Sequence, residues 1–129
     1  NEIGMRSLLT DLQRITWPLS KLLFRLQSMP RFDNHHSFVV RYSAMEDLGL
    51  DMHMDDSEVT LNVCLGESTF TGARLIFCGD FGSPHHRHVS HTYHHQVGRA
   101  VLHLGMRRHG AEDIASGTRI NLILWNINS

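Results

Sequence analysis

The sequence predicts a mainly β domain with helices at its N-terminus, an antiparallel sandwich or jelly roll covered on one side by those helices. Three observations carry this. First, residues 3–28 place Ile3, Leu8, Leu9, Leu12, Ile15, Leu19, Leu22, Leu23 and Leu26 mostly at steps of three and four, one apolar helical stripe. Second, the texture changes after Pro30 to short runs rich in β-branched and aromatic residues, with Gly66, Gly72, Gly79, Gly82, Gly98 and Gly117 near their ends. Third, no helical period separates those runs, which excludes an alternating parallel α/β sheet.

Taken in order, the stripe is interrupted at Trp17-Pro18. This predicts two helices, the second with Pro18 in its first turn, where a missing N–H costs nothing. The stripe is expected to pack on a sheet. Residues 38–42 read as a strand and 52–55 as a short extended piece. Residues 58–65 alternate cleanly, with Val59, Leu61, Val63 and Leu65 on one face and Thr60, Asn62 and Cys64 on the other. Residues 73–78, 97–104 and 119–127 follow as further strands. Residues 85–95 are polar, strand-poor and dense in histidine, and predict a long loop.

The 129 residues suit one domain, with residues 1–30 as helical support and 36–127 as the β core. Hydrophobic residues make up 41% and charged residues 19%, the balance of a globular chain. Twelve Lys plus Arg against thirteen Asp plus Glu give a net charge of −1, which excludes a strongly basic nucleic-acid binder. No apolar run reaches the roughly 18 residues of a membrane span. No secretory signal opens the chain, and Asn1 in place of Met reads as the start of a segment or a processed product. Cys64 and Cys78 are too few for a disulfide framework and read as small apolar strand residues. Histidine is the anomaly: there are eleven, and histidine is both the commonest metal ligand and the neutral-pH proton carrier.

In His53-Met54-Asp55, residues two apart on an extended segment point the same way, so imidazole and carboxylate reach one point together. A third ligand must come from elsewhere, and His109 is the candidate. Two His and one carboxylate form the facial triad of non-haem Fe(II) oxygenases, which leaves adjacent metal positions open. Ten residues on, Arg119 begins an otherwise apolar strand. A lone Arg there is odd for packing but suits a bidentate anchor for a carboxylate ligand.

These residues carry a family resemblance. HxD, a distal His, then Arg or Lys ten residues later resembles the signature of 2-oxoglutarate- and Fe(II)-dependent dioxygenases of the prolyl and lysyl hydroxylase type. FVVRY at 38–42, HMDDSEVTLNVCL at 53–65, FTGARLIF at 70–77 and HLGMRRHGAEDIASGTR at 103–119 resemble the catalytic domain of procollagen lysyl hydroxylases. The VLHLG, HGA and SGTRINLILW pieces are similar to an uncharacterised group of 2-oxoglutarate and iron-dependent oxygenase domain proteins. The likeness covers about residues 36–127. It departs at Ala111, where the lysyl enzymes carry a second His, and at Asp113, where they carry Pro.

The resemblance implies a double-stranded β-helix (jelly-roll) core in which His53, Asp55 and His109 hold Fe(II) and Arg119 pairs with the far carboxylate of 2-oxoglutarate. It implies O₂ as co-substrate, succinate and CO₂ as products, and ascorbate as re-reductant of the iron. Tyr42 and Asn62 face the site by strand parity and are expected to hydrogen-bond 2-oxoglutarate or a ligand. His103 is expected to pack beside the ligands. The substrate expected is a lysyl or prolyl side chain of a protein or peptide. Acidic Glu46, Asp47, Asp51 and Asp56 near the first ligand favour a cationic lysine. The alternatives are an oxygenase acting on a small molecule or nucleobase, and a zinc protein using the histidines of 85–95. In the leading reading those histidines form a covering lid at most. The lysyl likeness points to the endoplasmic reticulum; nothing in the residues themselves does.

Overall fold

The computed structural model describes residues 4–26, 28, 30–46, 48–66 and 69–128. Among the described residues one helix, α1 (Met5–Leu23), precedes nine strands: β1 (Asn34–Ser43), β2 (Leu50–His53), β3 (Val59–Leu65), β4 (Phe70–Gly72), β5 (Leu75–Cys78), β6 (Val89–Tyr93), β7 (Ala100–Leu104), β8 (His109–Ala111) and β9 (Ile114–Ile127). They form two antiparallel sheets. The larger runs β1-β9-β3-β7 with β4 also on β9, and the smaller runs β2-β8-β5-β6. This is the jelly roll expected, and no described helix is long and apolar enough to cross a membrane.

The alternation in β3 decides which way the large sheet faces. Leu61 joins Leu122 and Leu124 of β9 under Leu9 of α1, with Met5, Leu12, Val63 and Leu102 at the margin. Each buried aliphatic side chain there contributes roughly 1.5–3 kcal/mol. By parity, Thr60, Asn62 and Cys64 turn inward, between the sheets. The space between the sheets is therefore partly polar: Arg119, Asn121, Asn62, His103 and His95 are all buried. An apolar cluster of Tyr42, Ala73, Leu75, Phe77, Ala111 and Ile114 packs among them.

Three expectations need correction. The helix does not break at Trp17-Pro18; it runs through Pro18. Pro18 deprives the Arg14 carbonyl of its helical donor, but both residues lie on the exposed side, where such a loss bends a helix rather than ending it. On the inner side, Ser20 Oγ donates to the Thr16 carbonyl at 2.6 Å and both side chains are buried. Second, the apolar stripe does not face the sheet as a whole. Leu9 is buried, yet Leu8, Ile15, Leu19, Leu22 and Leu23 are exposed, and the other buried positions of the helix are small Thr16 and Ser20. Third, residues 85–95 are not all loop. Residues 89–93 form β6, which pairs with β5 from Leu75↔Tyr93 to Cys78↔Val89. The polar side chains that masked this strand are those of an exposed sheet edge. Ile3 of the stripe and Asp47 of the acidic group lie outside the described residues.

Candidate active site

Strand pairing brings the two histidines together: His53 ends β2 directly opposite His109, the first residue of β8. Asp55 follows two residues after His53, and its N–H donates to the Gly105 carbonyl at 2.8 Å. Gly105 has no alternative here. A Cβ at that position would stand 2.1 Å from the Ser57 carbonyl oxygen, so the turn carrying Asp55 closes on β7 only over a glycine. One ligand atom from each of His53, Asp55 and His109 lies within 4.8 Å of the others, and no other such group of three or more occurs among the described residues.

The imidazoles are oriented by their backbones. His53 Nδ1 donates to the Asp51 carbonyl and His109 Nδ1 to the Arg107 carbonyl, both at 2.7 Å. That leaves each Nε2 aimed at Asp55 Oδ1, at 3.2 Å from His53 and 3.3 Å from His109. Asp55 Oδ2 accepts from Thr60 Oγ1 at 2.7 Å. Burial alone would raise the Asp55 carboxyl, but the hydrogen bonds of His109, His53 and Thr60 hold it well below the usual carboxylate range. The His53 imidazole is pushed up, chiefly by Asp55. Two Nε2 atoms converging on one carboxylate oxygen repel it unless a proton or a cation lies between them. With Nδ1 fixed as donors, this N,N,O set is the kind that binds a divalent transition metal.

His103 lies against this group. Its Nδ1 donates to the Leu104 carbonyl at 2.9 Å, its ring sits 4.3 Å from that of His109, and its Nε2 is 3.8 Å from Asp55 Oδ2. Burial, then the charge of His109, lowers its pKa to about 4, and it packs beside His109 and Asp55. Tyr42 and Asn62 line a cavity of about 70 Å³ together with His53, Asp55 and His109, on the side that parity predicts. Asn62 Oδ1 accepts from Asn121 Nδ2. Burial raises the Tyr42 phenol, and the neighbouring Arg119 charge opposes that rise.

Arg119 begins its stretch of β9 opposite Tyr42 of β1. Its guanidinium lies 4.7 Å from the Tyr42 ring centre and 5.9 Å from that of Phe70. It is only 1% exposed. One N–H donates to the Ala73 carbonyl, while Nε has no partner among the described residues. No described carboxylate pairs with it. Burial draws its pKa down, but an arginine remains charged at any physiological pH. A buried cation without a counter-anion costs several kcal/mol, and a binding site for an anion is where that cost is tolerated.

Comparison with known proteins agrees with this chemistry. The chain is 40% identical over 131 residues to "2-oxoglutarate and iron-dependent oxygenase domain-containing protein CP2" of Arabidopsis thaliana, covering 97% of this chain and 33% of that protein. It is 41% identical over 127 residues to the human "2-oxoglutarate and iron-dependent oxygenase domain-containing protein 2", covering 97% and 36%. This chain is a homologue of the 2-oxoglutarate and iron-dependent oxygenase domain-containing proteins. It spans about a third of the length of these curated relatives. No family profile matches it. The fold matches a crystal structure described as an oxidoreductase of the 2OG-Fe(II) oxygenase family from Burkholderia pseudomallei, with a TM-score of 0.56 and 18% identity, over 82% of this chain and 55% of that one. Both relatives are named for a 2-oxoglutarate and iron-dependent oxygenase domain.

Sequence reasoning missed two residues of this oxygenase homologue. Thr60 grips Asp55, and the β3 alternation already placed it on the inner face beside Asn62. His95 is 3% exposed, and nothing in its histidine-dense surroundings sets it apart.

Proposed function

We propose that this chain forms the catalytic domain of a 2-oxoglutarate- and Fe(II)-dependent hydroxylase, with residues 1–30 as support and 36–127 as the core. The observation that carries this is a pairing: a His-Asp-His group whose Nε2 atoms converge on Asp55, and in the same interior a buried Arg119 with no described anionic partner. His53, Asp55 and His109 would hold the iron through Nε2, carboxylate and Nε2. Thr60 and the Asp51 and Arg107 carbonyls fix the ligand geometry. Arg119 anchors the far carboxylate of 2-oxoglutarate, Tyr42 positions the guanidinium, and Asn62 lines the path between anchor and metal. Bound iron supplies the O₂ chemistry by which 2-oxoglutarate is decarboxylated to succinate and a substrate C–H becomes C–OH. The protein's share is orientation and the exclusion of water.

The substrate proposed is a lysyl or prolyl side chain of a peptide. Exposed Asp51 and Asp56 beside the first ligand favour lysine. Glu46 contributes less, since it already pairs with Arg41 at 3.0 Å. Ascorbate is the proposed reductant for stalled iron.

The test has two stages. Protein with Fe(II) and 2-oxoglutarate should release succinate; none at all would overturn the assignment. Lysyl and prolyl peptide pools should then gain one oxygen atom by mass spectrometry. Faster oxidation of prolyl peptides, insensitive to salt and to Asp51→Asn, would remove the electrostatic case for lysine.

A further inference from the structure

Resting on the reading that Arg119 holds the far carboxylate of 2-oxoglutarate, we propose that His95 is a second donor to that carboxylate. The two residues would together select a 2-oxo diacid over a 2-oxo monoacid. His95 is the anomaly of the histidine-rich stretch. Its neighbours His94 and Gln96 are exposed, whereas it is 97% buried by its 3% exposure, and neither Nδ1 nor Nε2 has a partner among the described residues. A buried imidazole with both nitrogens unanswered is a group that packing alone does not explain.

Its surroundings tie it to Arg119. The His95 ring meets Tyr93 edge-on at 5.5 Å. Tyr93 packs on the cluster that contains Tyr42, and the Arg119 guanidinium stacks on Tyr42. His95 lies within the electrostatic reach of Arg119: burial first, and the Arg119 charge second, lower its pKa to about 4. It is thus neutral, with one N–H to give. Arg119 Nε is also unanswered. A single carboxylate has oxygens enough to accept from both. Charge agrees as well. A neutral His95 leaves one buried positive charge, matched by one carboxylate, whereas a protonated His95 would oppose Arg119.

Calorimetry on Mn(II)-loaded protein tests this, with 2-oxoglutarate and with 2-oxopentanoate, which lacks the far carboxylate. His95→Phe should weaken 2-oxoglutarate roughly tenfold, as for a lost hydrogen bond to a charged group, and His95→Gln, which restores an N–H, should recover most of it. Neither should alter 2-oxopentanoate binding, and exposed His94→Phe should alter nothing. Unchanged 2-oxoglutarate affinity in His95→Phe, or an equal loss for both acids, overturns the proposal. In the unmutated protein, ¹⁵N spectra should show the His95 ring N–H shifting and exchanging more slowly when 2-oxoglutarate is added. An unmoved resonance overturns the proposal even if the variants fail to fold. If Arg119→Gln loses the preference for the diacid while His95→Phe keeps it, His95 alone is misassigned. If the unmutated protein binds both acids equally, the Arg119 reading itself falls.

Discussion

His53 and His109 face each other across neighbouring strands, each with Nδ1 committed to a backbone carbonyl and Nε2 directed at one buried carboxylate oxygen. His85 and His88 also meet, Nδ1 to Nδ1 at 3.4 Å, but both are exposed and belong to no group of metal-binding type among the described residues. His86 even has its Nδ1 on the Ser83 carbonyl at 2.8 Å, the same device that orients the site histidines. What separates the two regions is convergence. The stretch at 85–95 holds more imidazoles, and the β2–β8 pair holds fewer, aimed at one point from a sheltered frame. Density of a ligand type along the chain is therefore a poor guide to a metal site.

The sharpest way to break this contrast is to remove a converging ligand. Asp55→Ala or His109→Ala should lower Fe(II) or Mn(II) affinity by about a hundredfold or more, because even the groups that merely orient ligands are worth ten- to a hundredfold. Equilibrium dialysis with metal analysis would measure it, and wild-type affinity in either variant would displace the site. Next in size, Arg119→Ala should raise the 2-oxoglutarate concentration for half-maximal succinate release by roughly ten- to a hundredfold while metal affinity stays within about threefold. Equal loss of both would mean that the interior has collapsed.

A smaller effect concerns pH and lies at the border between the two regions. His95 has a folded pKa of about 4, below the ordinary value near 6.5. The unfolded chain therefore binds the extra proton first. The stabilisation is fully present above about pH 6.5 and is lost as pH falls toward 4. Between pH 7 and pH 5, urea unfolding of the unmutated protein should lose about 2 kcal/mol more stability than that of His95→Gln, the share of buried His103 being common to both; identical slopes would place His95 in solvent. The smallest effect is expected from replacing His85, His86, His88, His91 and His94 together by Gln. Metal affinity and uncoupled succinate release should remain within about twofold of wild type, the scale of surface substitutions. Loss of catalytic iron would show that the exposed stretch supplies a ligand after all.

Much of this contrast was readable before any coordinates. The β3 alternation, the HxD spacing and the lone arginine in an apolar run all express strict local geometry, namely a two-residue strand period and the cost of burying a charge. The structure brings His53, Asp55, His109 and Arg119 into one interior, and sets Tyr42 and Asn62 on its wall. What escaped the sequence depends on contacts made at a distance. Pro18 sits on the exposed side of a helix whose other side, at Thr16 and Ser20, is buried by the rest of the fold. β6 forms because β5 is available to pair with it. His95 differs from His94 only in what the rest of the fold closes over it.

The placement of β9 has a kinetic consequence. β9 pairs with β1, β3 and β4, and it also carries Arg119 and Asn121. Its partner β1 lies near the other end of the described chain, with Asn34 opposite Ile127. Pairing between strands so far apart in sequence is the kind that slows folding, because the loop between them must close before the contacts form. His53 of the HxD pair meets His109 through the β2–β8 pairing of the smaller sheet, which makes no bond to β9, whereas Arg119 lies on β9 itself. Under the proposed roles, β2 paired with β8 would hold His53 and His109 together without Arg119, and retention of 2-oxoglutarate would report that β9 has closed the larger sheet.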